Sequence, residues 1–226
     1  MRASARKGDI WAGSILIATL IGRWYQKELS RRARGKLLDL GCGKVPLYQM
    51  YAPHADEIIC TDWPATLHGD AFIDFANDLN AGIPLRDAAI DTIVLSDVLE
   101  HIFRPDALLR EVERVLRPGG TVLINTPFLY LIHEAPHDFY RYTPYAIERM
   151  ARSAGLEVIQ LDAIGGGLLV IADVIGKLLS RVPLTGALLA SVLQRAVLFV
   201  CPEMPRTSAY PLFVAAILKK PLMDSG

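Results

Sequence analysis

The chain has 226 residues, of which 24 are basic and 24 acidic, so its formal net charge is zero. That length suits one domain, and the balanced charge excludes both the field of a nucleic-acid-binding protein and an acidic tail. Apolar residues make up 52% of the chain and the mean hydropathy is +0.29, so some segment must carry an excess of apolar surface.

At the N-terminus Arg2, Arg6 and Lys7 precede an apolar run over residues 10–21, a pattern that superficially resembles a secretory signal. Asp9 interrupts the junction, no small-x-small cleavage site follows, and the run is shorter than the about 20 residues a bilayer span needs. The expectation is an amphipathic helix within a helical cover over residues 1–35, ending in the basic stretch 27–36. Apolar runs at 36–40, 57–61, 72–75, 92–96 and 121–125 predict buried strands. Between the last two, Leu108, Leu109, Val112 and Leu116 fall on one face of a helix over 104–116. Arg117-Pro118-Gly119-Gly120 is expected to stop it. A further helix starts at Thr143 as N-cap with Pro144 behind it and ends at Gly155. Strands at 156–162 and 211–218 complete a set of seven.

This alternation predicts an α/β fold: a three-layer, Rossmann-like sheet, mostly parallel. A core over 36–162 is followed by a segment over 163–209 and a final strand within 210–220. The 163–209 segment opens with Gly165-Gly166-Gly167 and carries helical patterns at 168–179 and 184–199, with few polar residues. It holds the excess of apolar residues, and three readings stand: a hydrophobic lid, a homodimer surface, or a hairpin in a membrane interface. The cysteines Cys42, Cys60 and Cys201 form no C-x-x-C pair and no zinc site, which suits a reducing, cytoplasmic setting.

Leu37-Leu38-Asp39-Leu40-Gly41-Cys42-Gly43 is a strand running into a glycine turn, where a parallel sheet binds ligands, and the next helix is expected to begin near Pro46. A dinucleotide site of an NAD(P)-dependent reductase would place a third glycine at Pro46. Asp39 would also repel a pyrophosphate but welcome a cationic ligand. Asp62 ends the second strand, where a carboxylate can accept two ribose hydroxyls, and Asp78-Leu79-Asn80 follows the third.

With Ile90–Ser96 followed by Asp97-Val98-Leu99-Glu100-His101, and with Leu116-Arg117-Pro118-Gly119-Gly120, these motifs resemble a class I methyltransferase of the type 11 group over residues 35–162. The resemblance implies seven strands with the last reversed, and S-adenosyl-L-methionine as cofactor above the first, second and fourth strands. It implies a cofactor set of Asp39, Gly41, Cys42 and Gly43 at the turn, Asp62 and Trp63 at the ribose, Asp78 and Leu79 at the adenine, with Ser96 and Asp97 beyond. Lys44-Val45-Pro46 departs from the family, which often has a third small residue there. A scaffold that binds the cofactor without turnover is the alternative outside enzymes.

Methyl transfer is an in-line displacement that needs alignment, and at most a base. Glu100 and His101 are candidates for the substrate side, or simply for a cap on the loop after the fourth strand. The segment 126–143 should overhang the active-site mouth. In it His133 and His137 are candidate general bases, and Tyr140, Arg141 and Tyr142 candidates for the acceptor pocket; a self-packed loop is the other reading. Asp97, Glu100, His101, His133 and His137 resemble an oxygen-and-nitrogen ligand set, but Pro136 removes helical spacing between His133 and His137, so no metal is expected. The acceptor is expected to be a lipophilic small molecule or lipid-linked group, with peripheral membrane contact or homodimerisation through 163–209.

Overall fold

The computed structural model describes residues 10–65, 71–201 and 206–222; Arg2, Arg6, Lys7 and Asp9 lie outside them. In chain order the elements are α1 (Ile15–Arg32), β1 (Lys36–Leu40), α2 (Tyr48–Tyr51), β2 (Glu57–Asp62), β3 (Phe75–Ala76) and β4 (Ile90–Ser96). Then follow α3 (Pro105–Val115), β5 (Leu116–Pro127), α4 (Pro144–Ser153), β6 (Glu157–Gly165), α5 (Gly167–Leu179), α6 (Gly186–Val200) and β7 (Pro211–Lys219). The strands form one sheet in the order β3-β2-β1-β4-β5-β7-β6. β3, β2, β1, β4 and β5 pair in parallel, while β7 runs antiparallel to both β5 and β6. This is the expected Rossmann-like sheet with a reversed last strand. The strand order turns back between β1 and β4, which opens a crevice beyond their carboxyl ends.

Helices cover both faces, so central strands such as β1 and β4 are apolar on both sides. One core packs Leu108 and Val112 of α3 and Ile147 and Ala151 of α4 against the sheet. The other packs Leu16, Leu20 and Trp24 of α1 with Leu169 of α5 and Leu198 of α6. Helix α4 starts as its sequence predicts, with the Thr143 side chain accepting a hydrogen bond from Ala146 N at 3.2 Å.

Four boundaries differ from expectation, each for a tertiary reason. Helix α1 begins at Ile15 and runs through the basic stretch to Arg32. Gln194 of α6 caps its start, accepting from Leu16 N at 2.6 Å and donating to Ala12 O at 3.0 Å. Near its end the buried Glu28 is held by Arg32 and Arg206. Strand β5 begins at Leu116, so Arg117-Pro118-Gly119-Gly120 ends the helix yet continues as strand. Leu116 pairs with Ile90, and Gly119 and Gly120 exchange backbone hydrogen bonds with Lys220 just past β7. The strand expected at 72–75 is only Phe75–Ala76, paired with Thr61 and Asp62. Helix α2 is one turn starting at Tyr48 rather than near Pro46, because Val45 takes a left-handed φ of 51° before it.

Helices α5 and α6 form an antiparallel pair laid against α1. Their outer face is apolar: Leu178 is 60% exposed and Phe199 88%, with Leu168, Ile171 and Leu188 also open. Among the described residues no helix is long and apolar enough to cross a membrane.

Candidate functional site

The glycine turn sits at the end of β1, in the crevice. Gly41 N and Cys42 N donate to Thr61 O at 2.8 and 3.0 Å, which locks the turn against β2. Gly41 has φ +69° and Gly43 φ +50°. A Cβ at Gly41 would lie 2.4 Å from a Val98 methyl, so both conformation and space demand glycine there. The turn therefore offers bare backbone to a ligand.

Asp39, expected to face a cation, is only 3% exposed and accepts a 2.8 Å hydrogen bond from Tyr51. Burial, with the Cys60 thiol beside it, raises its pKa to about 7. Asp39 thus lies beneath the turn, only half-charged near neutrality. Cys42 is buried next to Cys60, and the interaction with that thiol, together with burial, pushes its own thiol up. Asp62 ends β2 at the rim of the crevice, where its Oδ1 accepts from Trp63 N at 2.8 Å. Asp78 organises its own turn, accepting from Asn80 N at 2.9 Å, and Asn80 Oδ1 accepts from Phe103 N at 2.9 Å. Leu79 is buried there.

Ser96 pairs in register with Asn125 at the ends of β4 and β5. Asp97 follows with φ +52°, and its Oδ1 accepts from Asn125 Nδ2 at 2.7 Å. Asn125 Oδ1 in turn accepts from Tyr25 of α1 at 2.8 Å. Burial raises Asp97 to about 7, opposed by the Asn125 bond, and burial also raises the Tyr25 hydroxyl. Glu100, on the single turn Leu99–His101, is wholly buried. Burial and the neighbouring Asp97 push its pKa well up.

The loop after β5 roofs the crevice. His137 meets the Trp63 ring edge-on at 5.1 Å, carrying the loop across to the end of β2. Phe139 continues the contact to Phe103 at 5.9 Å. Tyr140 donates to Phe103 O at 3.3 Å, and the buried Tyr142 to Leu99 O at 3.1 Å. Arg141 forks onto Asp138 at 2.5 and 2.7 Å and donates to Leu131 O at 3.1 Å, so it ties the loop rather than facing an open pocket. His133 stands 3.1 Å from His101, Nε2 to Nε2, and burial, with His101 adding, lowers its pKa. The loop brings His133 against His101 and Glu100, and His137 against Trp63. Tyr142 and Arg141 serve the loop's own packing.

A family model described as a methyltransferase domain matches residues 17–161. The chain belongs to the methyltransferase domain family. S-adenosyl-L-methionine is the cofactor of this family. A protein named probable S-adenosylmethionine-dependent methyltransferase from Mycolicibacterium smegmatis is 35% identical over 108 residues, 46% of this chain and 42% of that protein. A ubiquinone biosynthesis O-methyltransferase from Chromobacterium violaceum is 28% identical over 160 residues, 58% of this chain and 68% of that protein. The chain thus matches less than half the length of the first relative. The crystal structure of the (4+2)-cyclase SpnF matches with a TM-score of 0.62 at 16% identity, over 91% of this chain and 82% of that one. At that identity the likeness is one of fold.

Three site neighbours carried no motif signal. Tyr25 reaches the Asp97 network from α1, 100 residues from its partner Asn125. Asn125 could have been singled out as a polar side chain ending a buried strand. Tyr130 links the roof to the apolar helices: its ring lies 4.2 Å under Lys177 Nζ of α5 and 5.3 Å from His133, and its hydroxyl meets Ser14 at 3.1 Å.

Proposed function

We propose that this chain transfers a methyl group from S-adenosyl-L-methionine to a lipophilic small molecule taken from a membrane surface. The observation that carries the acceptor class is the α5–α6 pair, whose outer apolar face is joined to the roof of the crevice through Lys177 and Tyr130. That face exposes Arg181 and Arg195, and the one acid of the two helices, Asp173, is buried. Apolar side chains rimmed by cations suit the interface of an anionic bilayer. The name of the Chromobacterium relative supports a quinone-like ring as acceptor.

In this reading Gly41 and Gly43 let the methionine part approach the backbone. Asp62 accepts from the ribose hydroxyls, Trp63 flanks them, and Asp78 with Leu79 receives the adenine. Ser96 and Asp97 border the methionine end. The roof aligns acceptor and methyl donor and keeps water out, which is most of what the displacement requires. His133 or His137 would take the acceptor's proton or orient its oxygen.

Titration calorimetry with the cofactor and its demethylated product tests the first part; Asp62→Ala should abolish or strongly weaken both. Labelled-methyl transfer to a hydrophobic phenol, in anionic vesicles and in buffer, tests the second. Faster turnover in vesicles, lost in Leu178→Asp with cofactor affinity retained, is expected. Absence of cofactor binding overturns the whole proposal. Binding without turnover on any acceptor leaves a scaffold, and turnover indifferent to vesicles removes the membrane reading.

A further inference from the structure

Beneath the roof, three donor atoms from two separate segments converge without partners that would satisfy them. Glu100 is 0% exposed and makes no hydrogen bond of good geometry, the equally buried Thr126 hydroxyl being the polar group beside it. Its Oε1 lies 3.7 Å from His101 Nε2 and 3.8 Å from His133 Nε2, and the two Nε2 atoms are 3.1 Å apart. A buried carboxylate left without hydrogen bonds costs several kcal/mol as a rule, and such groups are usually paired or coordinate a metal.

The tautomers sharpen the point. His101 Nδ1 lies 2.8 Å from His137 O, and a carbonyl only accepts, so Nδ1 carries the proton and Nε2 of a neutral ring is bare. His133 Nδ1 lies 3.2 Å from Asp138 Oδ2, off the hydrogen-bond line, and a carboxylate beside it favours a proton on that nitrogen too. With that tautomer two bare nitrogens face each other across 3.1 Å, a gap that a metal ion or a shared proton would bridge. A triangle with sides 3.1, 3.7 and 3.8 Å has a circumscribed radius of about 2.1 Å, which falls among zinc's bond lengths of about 2.0–2.2 Å to nitrogen and oxygen.

We propose that Glu100, His101 and His133 form a divalent transition-metal site, the two imidazoles and one carboxylate selecting an ion such as zinc. This departs from the sequence expectation of no metal, which weighed Asp97, Glu100, His101, His133 and His137 as a ligand set and set it aside on the spacing of His133 and His137. The pairing that the fold makes is His133 with His101, and His137 contributes only its backbone carbonyl. The outer groups fit as well: His137 O orients one imidazole and Asp138, itself clamped by Arg141, stands at the other. Three protein ligands leave the fourth position of a tetrahedral ion for water or a substrate oxygen.

The proposal does not rest on methyl transfer, and its test needs no cofactor. The chelator-treated full chain is titrated with Zn2+ by calorimetry and with Co2+ by visible absorption, circular dichroism confirming that each variant is folded. One ion per chain is expected. Affinity should fall by about tenfold or more in His133→Gln and Glu100→Gln, fall by roughly 10–100-fold in Asp138→Asn, and stay unchanged in the surface variant His54→Gln. If Glu100→Gln fails to fold, the half-buried His133 variant decides. No saturable binding by the wild-type chain would mean that the histidines share a proton instead. That result, or binding unchanged in His133→Gln, overturns the site.

Discussion

Alanine at Gly41 should damage the protein in two separable ways. The left-handed φ of +69° costs a side-chain-bearing residue about 1–2 kcal/mol. The new methyl would sit 2.4 Å from Val98 Cγ2, well inside contact distance, and overpacking of this kind costs about 1–3 kcal/mol more. The total is roughly 2–5 kcal/mol, and at this length each kcal/mol lowers Tm by about 2–4 °C. Val98→Ala alone removes two buried methyl groups and should cost about 2 kcal/mol. In the double variant the clash disappears while the strain stays, so its loss should fall short of the sum of the two single losses by about 1–3 kcal/mol. Denaturant unfolding of the four proteins, followed by circular dichroism, gives the coupling directly. Additivity to within about 0.5 kcal/mol would refute the claim that Val98 presses on the turn. Conformational strain alone would then explain the glycine.

Two further outcomes follow from buried charges. Asp39 has a folded pKa raised to about 7, so its contribution to stability is full below the unfolded carboxylate range and is lost as pH rises through 7. Between about pH 4 and pH 7 the wild type should lose up to roughly 4 kcal/mol relative to Asp39→Asn, and parallel stability curves would contradict the burial argument. In α5 the buried Asp173 and Lys177 pair with each other, while burial raises the acid and lowers the base. Asp173→Asn strands the lysine and should cost about 3–5 kcal/mol, whereas Asp173→Leu with Lys177→Met should recover most of it; equal losses in both would show that the charge is not the cause.

The sheet was legible because its signals are local. Each strand is a short apolar run, Thr143-Pro144 caps its own helix, and Gly41 and Gly43 announce a turn that only glycine takes comfortably. Spacing alone also marked out the two helices of the apolar segment. The ends of α1 and β5 were less so, since Gln194 caps α1 from the other end of the chain and Lys220 extends β5 from beyond the last strand.

At the site the same division holds. That Asp39, Asp62, Asp78 and Asp97 cluster at carboxyl ends of strands follows from their order in the sequence. Which of them is charged does not: Asp39 is neutralised in part by burial and the neighbouring Cys60, against the hydrogen bond from Tyr51, and Asp97 is tied to Tyr25 through Asn125. A sequence names the side chains that can ionise or ligate, because those properties belong to each residue. Whether they do depends on how much water is removed and which distant group arrives. Only the folding of the 128–143 loop over the crevice brought His133 within 3.1 Å of His101 and left Glu100 buried beside them.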